Sequence, residues 1–380
     1  MSLVLTEDQE SIRRTARKLV ASLSPNAQLR SLRDADDPLG YSRELWGQMA
    51  ELGLAGITLA ERHGGAGLGL TELGLVLEEC GRKLVPSPLF ATLLLGGAAI
   101  QLGGSEEQRS AWLPPMARGE VTATLAHEEG SRHDRQSIFT LAEPEQGGYR
   151  LTGQKTMVVD GHIADVIVVV ARVPGSGREG PALFLVRRGQ PGVELRRRST
   201  VDSRNFASIR LEGVHVGEEA LLGSAGGDAE LLDVLLDRAA IGLSAEMLGG
   251  MQEAFEQTVA YLKVREQFGV PIGSFQALKH RAADLFCEIE LARSLVIAAL
   301  RSADEGSHGG VESATLASAA KARVSEVFVQ VANEAIQMHG GIGATDELDI
   351  GFFLKRARVT GMMLGAAPYH RDRFARLSGY

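Results

Sequence analysis

The amino-acid sequence predicts an α+β protein, and three observations predict it. The chain opens with a helical stretch to about Arg118, passes through short β-branched runs from about Val121 to Leu222, and returns to long Ala- and Leu-rich helical patterns from about Asp228. In the opening stretch, Thr6 with Gln9 and Ser105 with Gln108 have capping-box spacing, in which a hydroxyl and an amide satisfy each other's backbone N–H groups. Apolar residues recur at helical spacing through Ile12, Ala16, Leu19 and Val20. Glu61 to Gly67 and Pro86 to Pro88 read as turns, because glycine supplies positive φ and proline stops a helix. The middle stretch holds Val166 to Val170, Leu183 to Val186 and Ala207 to Leu211, separated by Gly, Pro and Asp. Three long helices are expected after it: Asp228 to Val264, Ser274 to Ala303 and Val311 to His339. The expected domains are residues 1–118 (helical), 119–224 (β) and 225–380 (helical bundle), an order that invites a flat ligand between the β domain and the bundle.

Composition narrows the function classes. With 380 residues, 44% of them hydrophobic, the chain is long enough for cores that need no staples. A net charge of −8 and a pI near 5.7, without a long basic stripe, argue against nucleic acid as a partner. Arg196, Arg197 and Arg198 read as a solvated strand end. Cys80 and Cys287 stand far apart in helical, largely apolar surroundings and read as reduced core thiols of a cytoplasmic protein, not as a disulfide or metal site. Met1 to Leu23 read as an amphipathic helix of mixed charge, so neither a signal peptide nor a membrane span is expected.

Two C-terminal segments carry the binding chemistry. Arg265-Glu-Gln-Phe-Gly-Val-Pro-Ile-Gly-Ser-Phe-Gln276 places a permanent cation, two aromatic rings and an amide at a break between long helices, a set suited to a phosphate and a flat heterocycle. Gln337-Met-His-Gly-Gly-Ile-Gly343 puts three glycines after a helix running through Val324, Phe328, Val331 and Ile336. Those glycines either let backbone N–H groups approach an anion or form a helix C-cap and turn.

With these segments, and with Gly56-Ile57 through Gly64-Gly65, Gly103 to Pro114, Leu151 to Lys155 and Ala164-Asp165, the chain resembles the acyl-CoA dehydrogenases from end to end. The resemblance implies an N-terminal helical domain, a middle β-barrel or sandwich domain and a C-terminal four-helix bundle. It implies FAD as cofactor, an acyl-CoA thioester as substrate of α,β-dehydrogenation, an electron-transfer flavoprotein or similar acceptor, and a tetramer. It also implies that Arg265, Phe268, Gln276, Gln337, Gly340 and Gly341 contact the ADP half of a FAD lying mostly in the neighbouring subunit.

The departures from the family are concentrated around the flavin ring and the substrate. Where the family has Thr-Glu and then Gly-Ser-Asp against the flavin's pyrimidine edge and phosphates, this chain has His127-Glu128 and Ser131-Arg132-His133-Asp134. The two imidazoles either donate in place of the hydroxyls or are surface-loop histidines. Where the family reads Trp-Ile-Thr-Asn-Gly, the chain has Met157-Val-Val159-Asp-Gly161. It thus lacks both the indole cover and the hydroxyl, its tryptophans being Trp46 and Trp112. Removing a proton alpha to a thioester requires a positioned carboxylate. The usual Glu-Gly-Thr aligns with Leu364-Gly365-Ala366, no Asp or Glu occurs from Ile350 to Arg371, and the alternative family position falls near Ala239. Glu246, on the same helical face two turns on, is either a relocated base or half of a structural ion pair with an arginine. Asp237 reads as a local pair with Arg238 at the helix start.

What is kept serves a cofactor held across an interface, and what is lost serves a flavin and thioester of the chain's own. The resemblance therefore implies a companion subunit of a heterotetramer, as in bacterial members that degrade steroid side chains, where only one of two unlike chains carries the base. A self-sufficient homotetramer using Glu246, and a non-catalytic acyl-CoA- or FAD-binding homologue, are the competing expectations.

Overall fold

The structure, a computed structural model, describes residues 4–23, 25–175, 180–305 and 310–380. Its helices are α1 (Glu7–Ser22), α2 (Pro25–Asp34), α3 (Arg43–Glu51), α4 (Leu70–Arg82), α5 (Gly97–Gly103), α6 (Glu106–Ala117), α7 (Ala229–Val264), α8 (Gln276–Glu305), α9 (Val311–His339), α10 (Ile350–Met362) and α11 (Ala367–Leu377). Its strands are β1 (Ala123–Ala126), β2 (Leu141–Glu145), β3 (Gly148–Val159), β4 (Val166–Arg172), β5 (Pro181–Arg187), β6 (Val193–Arg198), β7 (Phe206–Gly217), β8 (Leu221–Leu222), β9 (Glu266–Gln267) and β10 (Val270–Pro271). The three long C-terminal helices fall within two residues of the expected bounds.

Both capping boxes form. Thr6 Oγ1 accepts from Gln9 N at 3.2 Å while Gln9 Oε1 accepts from Thr6 N at 3.0 Å. Ser105 and Gln108 reciprocate at 3.2 and 2.7 Å, which satisfies N–H groups that the first turn of a helix leaves unpaired.

The chain folds into two compact units, one from residues up to 31 with 70–85 and 240–380, the other from residues 32–69 and 86–239. In the first unit α8, α10 and α11 pack on α9, whose Val324, Phe328 and Val331 are buried. Helix α7 crosses α4 with backbones almost touching. A Cβ on Gly249 would stand 1.8 Å from Glu78 O, and one on Gly81 would stand 1.9 Å from Glu246 O, so only glycine fits at this crossing.

The second unit is built on an eight-stranded sheet of order β6-β7-β3-β2-β4-β5-β8, with β1 parallel to β4. Strand β4 is buried from Val166 through Ala171, as its unbroken β-branched run predicts. Before β1, a π-helical stretch (Ala91–Gly96) brings Gly96 so close that a Cβ there would lie 2.4 Å from that of Ala123. The β3–β7 ladder slips between Lys155 and Val158. This bulge gives Met157 a positive φ of 47° and leaves its side chain exposed, while Val159 re-enters the ladder opposite Phe206 and is buried.

One expectation is corrected: Cys80 is buried, but Cys287 lies on an exposed face of α8. Both are free thiols.

Candidate functional site

Within the first unit, the end of α7, from which the first C-terminal segment springs, meets the end of α9, which belongs to the second. Arg265 follows the last turn of α7, and β9 and β10 form a hairpin whose tip residues Phe268 and Gly269 both have positive φ, 55° and 81°. Such a two-residue tip matches the twist of its strands and throws the side chain outward. Phe268 is 92% exposed, edge-on to Phe275 at 6.1 Å. The Arg265 carbonyl accepts from Ile272 N at 2.7 Å and closes the hairpin, and exposed Gln276 opens α8.

Helix α9 ends against the last turn of α7. His339 stacks on Tyr261 with ring centroids 4.4 Å apart, and the Tyr261 hydroxyl donates to His339 O at 3.4 Å. Gly340 N–H donates to Gln337 O in a C-cap with φ 67°, so the C-cap reading of this segment holds. Gly343 allows the tight return, since a Cβ there would stand 2.7 Å from Ile336 O. Gln337, Gly340 and Gly341 are exposed beside the cap. Among the described residues the Arg265 guanidinium has no hydrogen-bond or ion-pair partner. The surface therefore offers an uncommitted cation, two exposed rings and two amide side chains, which fit the phosphate and flat-ring chemistry of a nucleotide.

The carboxylates expected near a base position are otherwise engaged. Glu246 is buried and receives Arg356 Nη1, itself buried, at 3.1 Å, which meets the structural ion-pair reading. Asp237 is bound by Arg135 at 2.7 Å, and Arg135 also reaches Asp233 at 3.0 Å. The loop after β1 thus supplies Asp237 with an arginine that the expected helix-start pair with Arg238 did not include. Ala239 is fully buried.

Leu364 takes a left-handed turn, φ 54°, and its carbonyl lies 2.8 Å from His370 Nε2. Beneath the turn, Lys321 donates to Gly365 O at 3.1 Å, Ser325 Oγ at 3.1 Å and Gly361 O at 3.4 Å. Among the described residues no carboxylate pairs with Lys321, and burial pushes its ammonium down to about 7.

In the second unit, His127 and His133 lie on the loop that leaves β1. The surface-histidine alternative is overturned: both side chains are 4% exposed, because the loop folds back on itself and is tied to β3. Glu128 O accepts from Thr156 N at 2.7 Å, and the Lys155 ammonium donates to His127 O at 3.3 Å and to the Glu129 carboxylate. Glu129 also accepts from the Phe139 and Thr140 amides. Burial lowers Lys155 to about 8 despite Glu129. His133 Nδ1 hydrogen-bonds Glu128, and His127 Nδ1 is 3.8 Å from the same oxygen. Burial would raise the Glu128 carboxyl, but the two imidazoles outweigh it and hold it at about 2. Burial pushes the His133 imidazole down against its bond to Glu128.

Sequence reasoning missed Tyr261, Lys321 and the Lys155–Glu129 pair. A lysine amid apolar helix or strand residues was the available signal, since such a charge must find partners.

Three family models, described as the N-terminal, middle and C-terminal domains of acyl-CoA dehydrogenase, match residues 6–120, 123–214 and 230–378. The chain is 32% identical over 368 residues to acyl-CoA dehydrogenase IpdE2 of Mycolicibacterium smegmatis, covering 95% of this chain and 96% of that one. Among solved structures it is similar to the Tcur3481–Tcur3483 steroid ACAD (TM-score 0.87, 32% identity, 98% of each chain). It is also similar to the ChsE4–ChsE5 complex of Mycobacterium tuberculosis (TM-score 0.88, 26% identity, 100% of each chain). Among the described residues no helix is long and apolar enough to cross a membrane.

Proposed function

The chain belongs to the acyl-CoA dehydrogenase family, and from that premise we propose that it acts as the companion subunit of a heterotetramer that dehydrogenates an acyl-CoA thioester. The cofactor is FAD, the cofactor of the family, which when bound accepts the substrate's β-hydride. The observation that carries the reading is the contrast between two groups. The Arg265, Phe268, Gln276, Gln337, Gly340 and Gly341 surface is exposed and uncommitted, whereas Glu246 is locked to Arg356; by the family resemblance, Leu364 takes the usual position of the base.

In this role Arg265 holds a phosphate, Phe268 and Phe275 cover a flat ring, and Gln276 and Gln337 orient the nucleotide half of a FAD bound mainly by the partner chain. The partner supplies the base. The residues of the chain's own β domain support the division of labour, since Val159 offers no hydroxyl and exposed Met157 replaces an indole. The paired chains of the ChsE4–ChsE5 complex are a precedent for two unlike members of the family in one assembly. Reduced thiols and the absence of a spanning helix among the described residues agree with a cytoplasmic location. Domain limits of 1–118, 119–224 and 225–380 follow the order of helices, sheet and bundle.

The test is co-expression with a base-bearing dehydrogenase chain, followed by anaerobic titration of the purified assembly with acyl-CoA thioesters. Bleaching of the FAD spectrum by the assembly and none by the isolated chain is expected. Full dehydrogenase activity of the isolated chain would overturn the companion role.

A further inference from the structure

Among the described residues, one group of side chains has the composition of a metal centre: His127, Glu128 and His133, whose nearest donor atoms all lie within 4.8 Å of one another. Neither ring nitrogen of His127 has a hydrogen-bond partner, although its side chain is only 4% exposed. A buried imidazole with both nitrogens unsatisfied loses its hydration without compensation, an arrangement that a bound ion would relieve.

We propose that His127, Glu128 and His133 form a binding site for a divalent transition-metal ion of the Zn²⁺ type. Two neutral imidazoles and one carboxylate are the donors such an ion prefers, whereas Mg²⁺ and Ca²⁺ prefer oxygen alone. Donors around a tetrahedral ion stand roughly 3.3 Å apart, given metal–ligand bonds near 2 Å. The 3.8 Å separation of His127 Nδ1 from Glu128 closes to that value by a small rotation, and the shorter contact of His133 opens to it.

The surroundings suit the ion. Two nearby cations are already neutralised: Lys155 by Glu129, and Arg135 by Asp233 and Asp237. The ligand backbone is held by Thr156 N on Glu128 O and by Lys155 on His127 O, which limits what the loop must reorganise. Three protein ligands leave a fourth position open to water or an anion. The site lies on the loop that the family resemblance sets against a flavin, so it rests on the reading that FAD is held mainly by the partner chain; metal titration of the isolated chain tests the site apart from that reading.

The test is titration of the chelator-treated full chain with Zn²⁺ by calorimetry and with Co²⁺ by visible absorption, in a Cys287→Ser background that removes the exposed thiol. One ion per chain, with affinity lowered at least about 100-fold in a His127→Ala/His133→Ala variant, is expected. Equal affinity in that variant would overturn the site. Should the variant fail to fold, X-ray absorption of the Zn²⁺-loaded parent decides. Imidazole scattering supports the site, and an all-oxygen shell or no retained ion refutes it.

Discussion

At the residue scale, two buried charges set the chemistry that this chain can and cannot do. Glu246 is a carboxylate on the long helix near an alternative base position, but it is bound by the Arg356 guanidinium at 3.1 Å. Glu246→Gln should leave flavin reduction by the assembled complex unchanged. It should destabilise the chain by about 3–5 kcal/mol in urea unfolding, because the buried pair with Arg356 loses its carboxylate. Lost reduction with unchanged stability would restore Glu246 as a base. Lys321 gives the opposite kind of signature. Its ordinary value of 10.5 falls to about 7 on burial, so between those pH values the unfolded chain binds a proton that the folded chain has released. Stability should therefore rise with pH across that window, by at most about 1.4 kcal/mol per pH unit from this group. Denaturant titrations from pH 7 to pH 10 should show that rise in the parent and its loss in Lys321→Met.

At the element scale, what matters is how closely helices and strands approach. Helices α4 and α7 touch through Gly81 and Gly249, each facing a backbone carbonyl of the other helix. Gly249→Ala should cost about 1–3 kcal/mol through forced separation of the two helices, visible as a lowered Tm, even though alanine is the better helix former. A stabilised variant would mean that the crossing is loose. The β9–β10 hairpin shows the reverse economy, for it holds Phe268 in water at a backbone angle that phenylalanine rarely adopts. Exposed and strained, this residue contributes nothing to the core of its own chain, which agrees with the proposed contact to a nucleotide held by the partner.

At the scale of the whole molecule, the assembly completes what the chain leaves open. Arg265→Ala should leave the Tm of the isolated chain unchanged, since its guanidinium has no partner among the described residues. It should weaken FAD retention by the assembly about tenfold or more, the worth of one charge-assisted phosphate contact. Fluorescence of FAD released on dilution measures this directly, and unaltered retention would make Arg265 an ordinary surface residue.

The sequence by itself determined the α+β order, the two capping boxes, the long helices and the segments that mark the family, because each is written in local periodicity or in a contiguous motif. It also determined that no carboxylate stands between Ile350 and Arg371. Only the tertiary structure decided what Glu246 does, since Arg356 lies 110 residues away and nothing in the local pattern of either residue names the other. It likewise decided that Tyr261 and His339, 78 residues apart, join the helix end that precedes the first binding segment to the helix end that opens the second. The histidines after β1 read as plausible loop residues because polar residues in a Gly- and Ser-containing stretch look the same whether solvated or enclosed. The return of that loop onto β3, pinned by Thr156 and Lys155, is what buries them. Partners far apart in sequence are fixed by burial and by the need to satisfy every enclosed charge, and those conditions exist only once the chain has folded.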